Sequence, residues 1–430
     1  MKKRLLSALC AVMLLICAVP MASAQTGDAA RRADALTVLH LLSEDPSRDL
    51  TKPATRAQAA VLLVRLAGGE KKPDTDGWFA GFRDVPDWAR TAVNYANRRG
   101  WISGVSNVQF NPNGHLNADA WCAMLLRMLG YSDKTGDFDI SDAAAFAWRI
   151  GLTSRQLIGI LSVGDLAESI YDALDFCYKG TETTVLSRLM DLGVCTASAA
   201  NALGLLNKDY TARQLADRYL SAAFQLSLYE TEEQVHDEVS SADASGFFIS
   251  ADGLAVTNYH SIEDSIKATA TLLNGETYEV ERVLYYDTGI DIAVIKVSQT
   301  NQSRRTTSAF NYLDLVGTAD IRPGDPVYAI GNPLGLGLAI SSGIIGSTAH
   351  ELDRYALPCI VNSADISRGS SGGALMNAHG QVIGVTSGAY TYGNNMYLAV
   401  PVDPVMAADL TVSSWTLKEV KAIEAVKDKD

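Results

Sequence analysis

The feature that most constrains this chain is a change of hydrophobic period near residue 205. Before it, apolar residues recur at spacings of three and four. After it, short β-rich runs alternate with Asn-Gly, Asp-Gly and Gly-Asn turns. A period of 3.6 does not sit as a strand, and a period of two does not sit as a helix. The chain is therefore expected to fold as at least two domains. Its 430 residues are enough for two or three. In the first region, "TRAQAAVLLVRLAG" (55–68) puts Ala59, Leu62, Leu63 and Leu66 on one helical face, with Thr55 as cap and Gly68 as stop. "DVPDWARTAVNYANRRGWISG" (84–104) predicts another helix, starting at Pro86 or Asp87. Its expected apolar face is Trp88, Ala92, Tyr95 and Ala96, and Gly100 ends it.

These segments repeat. "TRAQAAVLLVRLAG" is echoed by "NADAWCAMLLRMLG" at 117–130, with "FRDVPDWARTAVNYANRRGWISG" and "FNPNGHL" between them. Phe82, Asp84, Val85, Trp88, Ala92, Gly100, Ile102, Gly104, Phe110 and Pro112 follow in an order that resembles the S-layer homology (SLH) module of bacterial surface proteins. A weaker third copy runs from Ala143 through 151–156 to 164–174. The resemblance implies α-helical repeats over 31–205 around a shared core, with cell-wall polysaccharide as a partner. The basic motif of the module stands here as Thr55-Arg56-Ala57-Gln58, which makes Arg56 the candidate glycan-binding residue. The second copy has Asn117-Ala118-Asp119-Ala120 and the third Gly164-Asp165-Leu166-Ala167, so neither keeps the arginine that would pair with an anionic sugar. A helical spacer that no longer grips a wall is the competing reading.

The chain begins Met1-Lys2-Lys3-Arg4, runs apolar from Leu5 to Val19 and reaches Ala-Ser-Ala at 22–24, the pattern of a secretory signal peptide over 1–24. That predicts a secreted or extracellular protein, cell-wall associated in a bacterium. The net charge is −13, and losing the three basic groups of the first 24 residues takes it to −16. Such acidity argues against nucleic acid as a partner. No later stretch is long and apolar enough for a membrane span. Cys122, Cys177, Cys195 and Cys359 lie far apart without CxxC spacing, so they read as free thiols rather than a metal site.

The β-rich region carries the chemistry. "DISRGSSGGALMN" (365–377) sets two serines among three glycines directly before a strand-like run. A linker would have this composition too, but a linker is rarely one pentapeptide wedged between strands. Acyl transfer by serine needs a base, an acid to orient the base, and backbone N–H donors for the oxyanion. His260 closes the strand "GLAVTNYH", and Asp291 opens the strand "DIAVIKV". Each is weak alone: the histidine could be a turn residue, and strands often begin with Asp.

The order His, Asp, Ser sharpens both. Ser245 to Ile249, Thr257-Asn258-Tyr259-His260, Asp291 to Lys296, Gly331-Asn332-Pro333-Leu334-Gly335, Gly369 to Asn377 and Gly380 to Gly384 resemble the chymotrypsin-like serine endopeptidases of the HtrA/Deg branch. The resemblance covers about 210–405. It implies an all-β protease domain (206–408) of two six-stranded barrels, followed by a charged C-terminal tail (409–430) too short for a PDZ domain. It makes Ser371 the nucleophile, His260 the general base and Asp291 its orienting acid. The N–H groups of Gly369 and Ser371 become the oxyanion hole. Asp365, six residues before Ser371, is the candidate specificity residue for a basic side chain; a pocket for small apolar side chains, with Asp365 turned away, is the other reading. Ser261 and Ala244 stand where the branch prefers Val and Gly. Protein or peptide substrates are implied, and neither a cofactor nor a metal is required. A non-catalytic wall-binding protein on a pseudoprotease scaffold is the alternative.

Overall fold

A computed structural model describes residues 29–43, 49–69, 80–181, 183–206, 209–389, 395–412 and 414–427. The expected signal peptide, 1–24, lies outside them. The chain divides into two compact units. The first comprises residues up to Ala147 together with Leu152–Leu206; the second comprises Trp148–Gly151 and the residues from Asn207 onward.

The first unit is helical. Helices Arg56–Leu66, Ala118–Met128 and Val163–Ala173 start alike, each from a side-chain cap: Thr55, Asn117 and Ser162. Each cap satisfies an orphan N–H and stabilises its helix by about 1 kcal/mol. The residues leading into these helices close a ring of backbone hydrogen bonds. Ala54 N–H donates to Leu161 (2.8 Å), Leu161 to Leu116 (2.9 Å) and Leu116 back to Ala54 (3.1 Å). Three equivalent segments thus meet around one pseudo-threefold point. The third cap shifts the alignment of the motif within its copy: the counterpart of Thr55 is Ser162, two residues before Gly164. Trp121, Phe110, Leu63, Leu125, Leu166 and Ile170 fill the core. The buried indole of Trp121 donates to Ser169 Oγ at 2.8 Å, satisfying its one polar atom. Trp88, expected on a buried face, is 62% exposed; helix Asp87–Arg98 instead buries Ala89, Ala92, Val93, Tyr95 and Ala96. The helix turns its Ala-rich stripe inward, and the stripe passes one residue beside Trp88.

The second unit is mostly β. Helix Ala212–Tyr219 leads into β1 (Ala223–Tyr229), followed by β2 (Ala242–Phe248), β3 (Leu254–Thr257), β4 (Lys267–Leu272), β5 (Thr277–Asp287) and β6 (Ile292–Asn301). These close a barrel in the order β1-β2-β3-β6-β5-β4. β7 (Pro326–Gly331), β8 (Ala339–His350), β9 (Cys359–Asn362), β10 (Ala374–Asn377), β11 (Val382–Ala389) and β12 (Tyr397–Pro401) close a second, in the order β10-β11-β12-β9-β8-β7. Closure leaves no unpaired edge. The first barrel is filled by aromatics: Phe248 stacks on Phe310 at 4.2 Å, and Tyr278 meets Phe310 edge-on at 5.1 Å. Aliphatics fill the second, among them Val327, Ile345, Ile360, Leu375 and Ile383. A third cluster joins the barrels, packing Phe247, Val256, Ile292 and Val294 of the first with Ile330, Ala374, Met376 and Val400 of the second. That apolar seam fixes one barrel against the other at the site described below.

The segment expected to be a charged tail is a clasp. Trp415 exchanges backbone hydrogen bonds with Val283 (2.7 and 2.9 Å), and helix Leu417–Lys427 sinks Leu417 and Val420 into the first barrel's core. Tyr286 donates to Glu424 at 2.8 Å. Lys418, Glu419 and Lys427 occupy the outer face, and these charges hid the apolar stripe. Leu417→Ala is expected to cost about 2–4 kcal/mol of unfolding free energy. A urea titration showing a loss below about 0.5 kcal/mol would mean that this helix does not hold the barrel.

Candidate active site

The loop from β9 to β10 carries "SRGSSGG", and its shape is set by backbone approach. Gly369 has φ +90°, and a Cβ there would lie 2.4 Å from the Asn332 carbonyl oxygen; Gly372 has φ +86°, and its Cβ would lie 2.2 Å from the Ser245 carbonyl oxygen. Glycine is thus required at both positions. Leu334 N–H donates to the Arg368 carbonyl at 2.6 Å. In a planar trans peptide this sends the Gly369 N–H to the opposite side. Gly372 N–H donates to Thr386, and Gly373 N–H to Ser370. The N–H groups of Gly369 and Ser371 find no protein acceptor among the described residues. Two such adjacent donors are what an oxyanion hole requires.

Ser245 braces this loop from the other barrel. It is fully buried on β2. Its Oγ donates to the Gly369 carbonyl (2.6 Å) and accepts from Asn332 N–H (2.8 Å). Its own N–H donates to the Ser371 carbonyl at 2.8 Å. Its carbonyl accepts from Thr257 Oγ1 at 2.8 Å. One residue therefore ties down the carbonyls of Gly369 and Ser371, the two residues whose N–H groups point free.

His260 sits on a short helical turn, Tyr259–Ile262, directly after β3, and Asp291 directly precedes β6. Asp291 reaches His260 twice: Oδ2 lies 2.8 Å from the ring Nδ1, and Oδ1 accepts the His260 backbone N–H at 2.9 Å. Asn258 Nδ2 donates to the Asp291 carbonyl at 2.8 Å. Ser387 Oγ donates to Asp291 Oδ2 at 2.6 Å. Since that hydroxyl has one proton, the 2.8 Å contact between Tyr355 and Ser387 must have tyrosine as donor. Asp291 adopts φ +59°, a left-handed backbone that is costly for a residue with a Cβ. Burial pushes its carboxyl upward, but the imidazole N–H and charge of His260, the Ser387 hydroxyl and the His260 backbone N–H outweigh it and hold the group below the usual carboxylate range. The arrangement keeps Asp291 ionised and fixes the tautomer of His260, with Nδ1 carrying a proton and Nε2 free to accept one.

Ser371 Oγ donates to the Ser387 carbonyl at 3.3 Å. No hydrogen bond joins it to His260 in this structure. Ser370, beside it, is buried, and its carbonyl accepts from Thr386 Oγ1 at 2.6 Å. Asp365 is exposed and accepts from the Tyr397 hydroxyl, which its carboxylate holds above the usual tyrosine range. It borders a cavity of about 210 Å³ between the end of β7, the start of β8 and residues 365–370. Arg56, the candidate glycan-binding residue, bonds within its own repeat. Nε donates to the Phe110 carbonyl (2.9 Å), Nη2 to the Ser103 carbonyl (2.7 Å), and the guanidinium lies 4.7 Å over the Phe110 ring. It staples the repeat's own loop.

Ser387 and Tyr355 escaped the sequence reading. The signal was there for Ser387: Thr386-Ser387 interrupts an apolar strand with two buried polar residues, which need partners.

Two closed barrels with a histidine and an aspartate on one and a glycine-cradled serine on the other define the architecture of the trypsin-like serine peptidases. Residues 244–385 match the trypsin-like peptidase domain. The chain is 37% identical over 171 residues to the mitochondrial serine protease HTRA2 of Bos taurus, covering 39% of this chain and 35% of that one. It is 35% identical over 177 residues to a probable periplasmic DegP-like serine endoprotease of Halomonas elongata (40% and 35%). It is 31% identical over 219 residues to serine protease HTRA1A of Danio rerio (50% and 44%). It thus spans less than half the length of these relatives. A solved HtrA-type protease with a tripeptide aligns over 46% of this chain and 62% of that one, at 24% identity and a TM-score of 0.39.

Removing the Ser245 hydroxyl strands a buried carbonyl and a buried N–H. Ser245→Ala is expected to slow fluorophosphonate labelling of Ser371 by about 10- to 100-fold at a temperature where circular dichroism shows the variant folded, on the order of one weakened oxyanion donor. Labelling at the wild-type rate would show that the brace does not shape the loop.

Proposed function

We propose that the second unit is a serine endopeptidase that cleaves proteins through an acyl-enzyme. The observation that carries this reading is the pairing of a buried, ionised Asp291 on His260 with two unpartnered N–H groups around Ser371. Ser371 Oγ leaves its weak bond to Ser387, at a cost of about 1 kcal/mol, and attacks the substrate carbonyl carbon. Its proton passes to His260 Nε2, and the carbonyl oxygen takes the new negative charge between the N–H groups of Gly369 and Ser371. The C–N bond breaks as His260 returns the proton to the leaving amine. Water, deprotonated by the same imidazole, then releases the acid. Asp291 stays ionised throughout and stabilises the imidazolium. Asp365 is offered as a specificity residue; its carboxylate, shared with Tyr397, would favour a basic side chain.

Fluorophosphonate labelling and peptide-library cleavage by the full chain test this. Wild type should label and cleave; Ser371→Ala should do neither, and Asp291→Asn should cleave about 10⁴-fold more slowly. Folded wild type that neither labels nor cleaves would leave the non-catalytic scaffold as the correct account.

The first unit is read as an SLH-like module that holds the enzyme at a bacterial cell wall outside the membrane. Three caps around one ring of backbone bonds support the repeat, and no helix among the described residues is long and apolar enough to cross a membrane. Wild type is expected to sediment with purified Gram-positive walls. A protein that stays in the supernatant at physiological salt would make the module a spacer.

A further inference from the structure

His260 stands on an element that cannot place itself. Tyr259–Ile262 is one four-residue turn, and Asn258 before it makes no side-chain cap. The backbone bond that spans it runs from the Glu263 N–H to the Tyr259 carbonyl at 3.1 Å. A lone turn fixes several dihedrals for one such bond and is unstable by itself. Its position is therefore set by what packs against it. Tyr259 and Ile262 sink into the first barrel's core, while the His260 side chain beside them is 38% exposed.

The segment is held on both sides from the C-terminal helix. On the near side, the Tyr259 ring stacks on Tyr286 of β5, with centroids 5.5 Å apart and planes 19° apart. Tyr286 in turn pairs with Ala293 of β6, two residues past Asp291. One ring thus links the histidine turn to the strand that follows the aspartate. Trp415 meets Tyr286 edge-on at 5.4 Å, and the Tyr286 hydroxyl donates to Glu424 at 2.8 Å. Burial and the Glu424 carboxylate push that hydroxyl up to about 12, so it stays a neutral donor. On the far side, Lys421 Nζ donates to the carbonyl of Asp264, two residues past the turn, at 2.6 Å, and to the Glu230 carbonyl at 3.3 Å.

We propose that Tyr286 and Lys421 are positioning residues for His260, through which the C-terminal helix keeps the imidazole aimed at Ser371. The inference rests on reading His260 as the general base. Asp291 grips the His260 backbone N–H and Nδ1, but hydrogen bonds weaken steeply as they bend. If the turn drifts, both bonds bend, and Nε2 swings away from its target. A helix that merely stabilised the barrel would leave this geometry alone.

Two measurements on the folded full chain separate the cases. Peptide cleavage gives kcat and KM separately. Proton NMR follows the Nδ1 proton of His260, which a hydrogen bond to a carboxylate moves far downfield and protects from exchange with water. Tyr286→Leu removes the stack and should lower kcat by about 10- to 100-fold, the scale of a misplacement near 1 Å, with KM little changed. It should also broaden or erase the downfield proton. Tyr286→Phe keeps the ring and should restore both readouts. Lys421→Met keeps the apolar stem and removes the two carbonyl contacts. It should lower kcat by about threefold or more, and it serves where Tyr286→Leu fails to fold. Val297→Ala, buried on β6 in the same core, should lower Tm and leave both readouts in place. The proposal is overturned if Tyr286→Leu or Lys421→Met keeps the wild-type kcat, if Tyr286→Leu keeps the wild-type downfield proton, if wild type shows no such proton, or if Val297→Ala loses both readouts equally. Wild type that cleaves nothing would sink the endopeptidase reading, and the NMR comparison would then decide the positioning by itself.

Discussion

Ser245 is where the two barrels become one site. It belongs to β2 of the first barrel, yet three of its hydrogen bonds end on the loop that carries Ser371 and on Asn332 of the second. Gly372 is glycine because the Ser245 carbonyl occupies the place a Cβ would take. The apolar seam presses the barrels together without direction, since burial is proportional to area and indifferent to angle. Hydrogen bonds supply the direction. A buried, fully satisfied hydroxyl at this crossing sets the path of the loop as well as contributing about 1 kcal/mol of net stability.

Asp291 shows the same economy from the other side. Its left-handed backbone costs of order 1–3 kcal/mol. The two contacts to His260, the Ser387 hydroxyl and Asn258 on its carbonyl over-determine that conformation. The outcome is a carboxylate that is only 8% exposed at its side chain yet stays ionised, because the donors around it exceed the penalty of burial. Ser387 couples the two halves: its hydroxyl holds Asp291 while its carbonyl holds Ser371. Ser371 thus rests, through one long hydrogen bond, on the residue that braces Asp291.

Much of this was legible in the sequence because its signals are local. The His, Asp and Ser motifs stand at strand ends, where period and turn residues mark the boundary, and the structure brings His260 and Asp291 into contact. The rest depends on distance in the chain. Ser387 meets Asp291 across 96 residues and Ser245 meets Gly369 across 124, separations that no periodicity encodes. The C-terminal clasp was misread because the charges of Leu417–Lys427 outnumber its two buried anchors. Its contacts extend toward the site. Trp415 packs edge-on against Tyr286 at 5.4 Å, and Tyr286 stacks on Tyr259, the neighbour of His260, at 5.5 Å.

The three capped helices of the first unit show how one backbone arrangement accommodates different side chains. The ring through Ala54, Leu116 and Leu161 is made of backbone groups and tolerates side-chain change. What each copy must keep is a short capping side chain, and threonine, asparagine and serine all serve. An arginine after the cap is needed only where a neighbouring loop leaves carbonyls to be satisfied. The first copy has that need: Ser103 and Phe110 present carbonyls to Arg56, while Asp84 takes the Phe110 and Asn111 N–H groups beside them. The third copy solves a different local problem, with Arg155 paired to Asp165 and Glu168. Arg56 thus has a structural role in the loop it closes.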